Sequence, residues 1–97
     1  MIRSFRDRGT EDVFDRRDTK AARKQCPQAL WAVAHRKLDQ VNAAARLDDL
    51  RTPPGNRLER LEDDRAGQWA IRVSSQYRVC FVWAGGDAHD VELTDYH

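Results

Sequence analysis

Two stretches near the end of the chain constrain its fold most. Trp69, Ile71 and Val73 alternate with Ala70 and Arg72, and Tyr77, Val79, Phe81 and Trp83 alternate with Arg78, Cys80 and Val82. A period of two is the signature of a strand with one buried face. If both apolar sets cover the same core, they must meet across a hairpin. The simplest loop that allows this is Ser74-Ser75-Gln76. Val73 then opposes Tyr77, and Arg72 opposes Arg78. The rest of the chain has to cover the apolar face of that hairpin.

A strong stop, Thr52-Pro53-Pro54-Gly55, separates a helical first half from a strand-rich second half. In the first half, Ile2 to Phe5 reads as a short strand. Thr10 is expected to cap a short helix that runs to about Arg16. Leu30, Ala34, Leu38 and Val41 recur at helical spacing, so residues 27–44 form an amphipathic helix with Pro27 in its first turn. Leu47 to Leu50 is a single turn. In the second half, residues 57–61 form a short strand and 62–67 a polar connection. Ala84-Gly85-Gly86-Asp87 turns the chain into a last strand over 88–94, with Val91 and Leu93 on one face. The expected fold is α+β: one domain, residues 1–97, with a small antiparallel or mixed sheet and two to three helices on one face.

Composition narrows the function. With 97 residues, 40% hydrophobic and 34% charged, the chain is expected to fold as one modest domain. It has no run of 18 apolar residues, and its first residues carry no signal-peptide pattern, so no membrane role and a cytoplasmic location are expected. Cys26 and Cys80 lie far apart, and His35, His89 and His97 are scattered. No metal-ligand spacing is present, so neither a metal nor another cofactor is expected. Formal net charge is only +1, which argues against binding bare duplex DNA by charge alone. Residues 1–51 hold 12 Lys and Arg against 8 Asp and Glu, whereas residues 52–97 hold 5 against 8. The basic stretch 16–24 suits either one edge of an anion-binding surface or a solvated helix end.

Two features carry candidate chemistry. Like charges directly opposite on a sheet repel. The Arg72–Arg78 pair therefore suits an anion between the two guanidinium groups, which match phosphate oxygens in a forked geometry. Its alternatives are two solvated arginines, or partners for Glu59 and Glu92. The second feature is Asp95-Tyr96-His97, directly after the last strand. Read alone, it fits a solvated tail as well as a held catalytic end. Together, the two features suit phosphodiester cleavage without a metal. Arginines stabilise charge on a pentavalent phosphate. A carboxylate such as Glu59 or Asp95, or an imidazole, takes a proton from a ribose 2′-OH, and another group protonates the leaving 5′-oxygen. A tyrosine ring can stack on a base.

These residues resemble a known family. The run from Pro53 to Trp69, the stretch from Ile71 to Phe81, the ending Asp95-Tyr96-His97 and the start Ile2-Arg3-Ser4-Phe5 are similar to the HigB toxins, the plasmid-maintenance killer proteins of the RelE-like superfamily. The resemblance implies a microbial RNase-like fold and a toxin of a type II toxin–antitoxin pair. It implies a ribosome-dependent mRNA endoribonuclease acting in the A site of the 70S ribosome. It also implies a HigA-type helix-turn-helix antitoxin as partner, with operator DNA bound only through that antitoxin. By motif position, Asp95, Tyr96 and His97 match the catalytic ending. His97 is the first choice for general acid, and Arg78 matches the arginine that stabilises the transition state. Arg72 is expected beside it as a phosphate ligand, and Arg65 contacts RNA or orders its loop. Glu59 and Glu62 depart from the pattern, standing where some HigB toxins carry histidine and lysine. These departures keep a second reading open: a weak or inactive homologue acting mainly as antitoxin-binding co-repressor.

Overall fold

The structure, a computed structural model, describes residues 1–96. Three helices come first: α1 (Arg8–Phe14), α2 (Lys20–Gln25) and α3 (Trp31–Ala43). Four strands follow: β1 (Glu59–Arg60), β2 (Trp69–Arg72), β3 (Tyr77–Ala84) and β4 (Asp87–Asp95). They form one antiparallel sheet in the order β1-β2-β3-β4. The N-terminal segment lies parallel to β4 through bridges at Ile2–Ala88 and Phe5–Val91, so the sheet is mixed at that edge.

The apolar periodicities account for the core. Ala34, Leu38 and Val41 of α3 are buried with Ile71 of β2, Val79 and Phe81 of β3, and Val91 and Leu93 of β4. Phe81 is fully buried, which stabilises the fold by roughly 1.5–3 kcal/mol relative to an exposed ring. After α3, the Asp49 carboxylate accepts the backbone N–H groups of Ala45 and Arg46, each at 3.0 Å, and turns the chain.

Three local details differ from the sequence-based reading. The cap of α1 is Asp7, whose carboxylate accepts the Thr10 N–H at 2.7 Å. Thr10 itself is buried, and its hydroxyl oxygen accepts the Leu93 N–H at 2.9 Å. The basic stretch contains a helix of its own, α2, which is capped by Thr19. The register of β4 also slips between Cys80 and Val82, where Asp90 adopts a φ of 51°. One extra residue on β4 turns Ala88 inward in place of His89, as a bulge does.

The open edge of β4 beyond Val91 needs hydrogen-bond partners, because buried peptide groups left unpaired are costly. Side chains supply them. Thr10 takes the Leu93 N–H, and the Gln25 amide donates to the Leu93 carbonyl at 2.5 Å. Gly9 lets α1 and α2 approach closely enough for this. A methyl at Gly9 would lie 2.7 Å from the Ala21 carbonyl oxygen and from Gln25 Cβ. Gly9→Ala is therefore expected to destabilise the protein by about 2 kcal/mol, outweighing a helix-propensity gain of about 1 kcal/mol. A urea titration of both proteins checks this.

At the N-terminal edge, Arg3 holds Asp87 at 3.0 Å. That hydrogen bond, together with the terminal amino group, lowers the Asp87 pKa. A carboxyl lowered on folding stabilises the fold above its ordinary pKa, and the effect is lost as pH falls through the lowered value. The stability difference between wild type and Asp87→Asn should therefore be present at pH 7 and shrink steadily below about pH 4. Chemical denaturation across that range reads it.

Candidate active site

The face of the sheet opposite the helices carries most of the residues singled out above. Register fixes two rows across it. Glu59, Ala70, Cys80 and Glu92 pair in succession from β1 to β4. The neighbouring row is Arg72, Arg78 and Thr94. The two arginines are directly opposite, as the hairpin parity requires. Tyr96 packs over Leu61, Ala70 and Cys80, forming a small second apolar cluster on this face.

The acids near the arginines do not neutralise them. Glu92 pairs with Arg65 at 3.0 Å, and the same Arg65 nitrogen donates to Gln68 at 3.1 Å. Burial works against the Arg65 charge, but the Glu92 hydrogen bond and nearby groups outweigh it and raise the pKa. The pair ties the connection between β1 and β2 across the sheet to β4, so loop order is the role of Arg65 that the contacts favour. Arg78 donates to the carbonyls of Ser74 (2.5 Å) and Tyr77 (3.1 Å). The Arg72 side chain makes no hydrogen bond or ion pair with a described residue, and Arg78 forms no ion pair among them. Cys80 lies beneath these charges, and burial pushes its thiol up to about 11, so it stays neutral and unreactive near neutral pH.

The C-terminal end of β4 is tied to the β2–β3 loop. The Ser74 hydroxyl accepts the N–H groups of Gln76 (3.2 Å) and Tyr77 (3.0 Å). The Gln76 carbonyl accepts the Tyr96 N–H at 2.9 Å, and its amide donates to Asp95 at 2.8 Å. Asp95 pairs with Tyr77 and shares its pleat with Leu93, so it points toward the helix side of the sheet. It does not join Glu59, Arg72, Arg78 and Tyr96 on the opposite face. His97 lies outside the described residues.

Two clefts flank this strand end, and Asp95 borders both. One, of about 340 Å³, is lined by Glu62, Asp63, Asp64, Arg65, Asp95 and Tyr96. The other, of about 520 Å³, lies on the helix side and includes Arg8, Lys24, Tyr77 and Asp95. Sequence reasoning missed the second cleft and the supporting roles of Ser74 and Gln76. The Ser-Ser-Gln composition of the hairpin loop was the available signal, because serine hydroxyls organise tight turns.

With this geometry in place, the chain can be compared with known proteins. The family model described as "RelE-like toxin of type II toxin-antitoxin system HigB" matches residues 3–97. The chain belongs to the HigB-like toxins. Toxin HigB-1 of Vibrio cholerae serotype O1 is 40% identical over 93 residues, covering 96% of this chain and 95% of that protein. A Proteus vulgaris protein named Endoribonuclease HigB is 28% identical over the full length of both chains. The fold also matches a chain of the YoeB–YefM complex from Staphylococcus aureus. The TM-score is 0.60 at 12% identity, over 100% of this chain and 95% of that one. The α+β fold expected from the sequence is thus that of the RelE-like toxins, and the HigB resemblance holds. No described helix is long and apolar enough to cross a membrane.

Proposed function

We propose that this HigB-like toxin is a ribosome-dependent mRNA endoribonuclease that inhibits translation in the cytoplasm. The observation that carries the reading is the Arg72–Arg78 pair, set side by side on the open sheet face and not ion-paired with a described acid. Two adjacent guanidinium groups favour a doubly charged phosphorane over a singly charged phosphodiester. The Proteus vulgaris relative's name supports the same chemistry.

In this reading, the 2′-OH of a nucleotide in the A site of the 70S ribosome attacks the adjacent phosphate. A P–O bond forms to O2′ and the P–O5′ bond breaks. The products are a 2′,3′-cyclic phosphate and a 5′-hydroxyl. Glu59, on the arginine face, receives the 2′-OH proton, His97 donates one to O5′, and Asp95 serves as an orienter from the other side of the strand end. Arg78 and Arg72 carry the phosphorane charge, Tyr96 stacks on a base, and Arg65 holds the loop beside it. The arginines supply the charge a metal ion would otherwise supply. The ribosome orients the substrate, so net protein charge need not be high. The partner is a HigA-type helix-turn-helix antitoxin, which carries the complex to operator DNA.

Induced expression of the toxin alone tests this. Growth arrest with mRNA cut within codons is expected, and His97→Ala should lower cleavage about 100- to 10,000-fold with little change in stability. Absence of cleavage on purified translating ribosomes would sink the nuclease. The competing reading, a weak toxin acting mainly as co-repressor, is favoured by Glu62, Asp63 and Asp64 lining the cleft beside Tyr96. It predicts operator binding with the antitoxin but no growth arrest.

A further inference from the structure

The two clefts beside Asp95 differ in charge. On the sheet side, Glu62, Asp63 and Asp64 line the cleft with Tyr96, and Arg65, the one cation among the described residues lining it, is committed to Glu92. On the helix side, Arg8 of α1 and Lys24 of α2 face the cleft with Tyr77 of β3. Both cations are exposed, and neither makes an ion pair or a side-chain hydrogen bond with a described residue. The helix-side cleft is open to solvent, with a volume of about 520 Å³. The wall is built: Gly9 permits the α1–α2 approach, and the Gln25 amide is fixed on the Leu93 carbonyl.

We infer that this helix-side cleft is a second RNA subsite, holding the phosphodiester and nucleotide next to the cut through Arg8, Lys24 and the Tyr77 hydroxyl. The inference rests on the nuclease reading above and gives the substrate a direction. A polyanion leaving the Arg72–Arg78 face at the end of β4 passes Asp95, which borders both clefts, and meets three further carboxylates on one side and two uncommitted cations on the other. Coulomb interaction across a few ångströms at a wet surface is on the order of 1 kcal/mol per pair, and the described lining residues leave the sheet-side cleft net negative and the helix-side cleft net positive even with Asp95 counted in both, which favours the helix-side path. The Tyr77 ring lines this cleft while its backbone carbonyl holds Arg78, so one residue links the subsite to the arginine pair. Burial, then Asp95 and Cys26, raise the Tyr77 pKa, which keeps its hydroxyl a donor at neutral pH.

The test compares two double variants, each removing two exposed cations. In cleavage on programmed ribosomes, Arg8→Gln with Lys24→Gln should raise KM about tenfold and leave kcat within about twofold. Arg17→Gln with Arg36→Gln, whose cations lie outside the cleft, should change KM less than about twofold. A 2′-O-methylated, uncleavable oligoribonucleotide added to the labelled toxin should shift the backbone amide resonances of Gly9, Gln25 and Tyr77. Equal effects of the two double variants, or resonance shifts confined to residues 62–65, overturn the subsite. So does a loss of antitoxin binding by the first double variant without loss of cleavage, which assigns the cleft to the antitoxin. If the wild-type toxin cuts nothing on ribosomes, the nuclease reading fails, and the resonance shifts still decide whether the cleft binds RNA.

Discussion

Arg78→Ala is expected to slow mRNA cleavage on translating ribosomes about 100- to 1,000-fold, with the loss in kcat more than in KM. The guanidinium sits opposite Arg72, where a phosphorane would gain most charge stabilisation. One of its nitrogens is also bound to the Ser74 and Tyr77 carbonyls, so the substitution costs about 1–2 kcal/mol of stability as well. A lysine separates the two effects. Arg78→Lys keeps a charge but loses the planar fork, and it should recover part of the rate. The decisive measurement is single-turnover cleavage of all three proteins beside their thermal denaturation. If both variants cut at the wild-type rate while only the melting temperature changes, the phosphate role of Arg78 is wrong.

The largest effect on stability is expected at Asn56. This residue is fully buried, and its side chain bonds four residues, two on α3 and two in the turn at 50–52. Its carbonyl oxygen accepts from the Lys37 ammonium at 2.6 Å. Its amide donates to Gln40 at 2.9 Å, to the Leu50 carbonyl at 3.1 Å and to the Thr52 carbonyl at 3.4 Å. Burial, and then Arg36, lower the Lys37 pKa, and the Asn56 oxygen is the acceptor that offsets part of that cost. Asn56→Ala leaves the Leu50 carbonyl and the lysine without this partner. A loss of about 2–4 kcal/mol is expected, a large share of the 5–15 kcal/mol typical of small domains. Equilibrium unfolding in urea measures it. A loss below about 0.5 kcal/mol, the scale of an ordinary surface substitution, rejects this account.

Different parts of this molecule were legible in the sequence to different degrees. The Arg72–Arg78 register could be read because strand alternation on both sides of a short loop leaves few ways to pair. The α3 core stripe followed from spacing alone. The β4 bulge did not, because one αL residue, Asp90, shifts the alternation without an apolar signal. Thr10 misled as a cap because Asp7 stands three residues earlier and Leu93 needs the hydroxyl. Asn56 was silent because its partners come from elements that meet only in the folded chain. The orientation of Asp95 was recoverable: Val91 and Leu93 face the core, and Asp95 continues their parity. The ion pair of Arg65 with Glu92 was not recoverable, since 27 positions separate them.

The hairpin loop at 74–76 also bears on how such a protein can change over generations. Its backbone carbonyls hold Arg78 and the Tyr96 N–H, while the half-buried Ser74 hydroxyl orders the turn and the exposed Gln76 amide holds Asp95. Surface hydrogen bonds of this kind contribute little to stability, on the order of 1 kcal/mol each. Substitutions at Ser74 and Gln76 can shift Arg78, Asp95 and Tyr96, the groups proposed to act on RNA, while the core stays intact. A lineage carrying a harmful toxin thus has a short route to a harmless one that still folds.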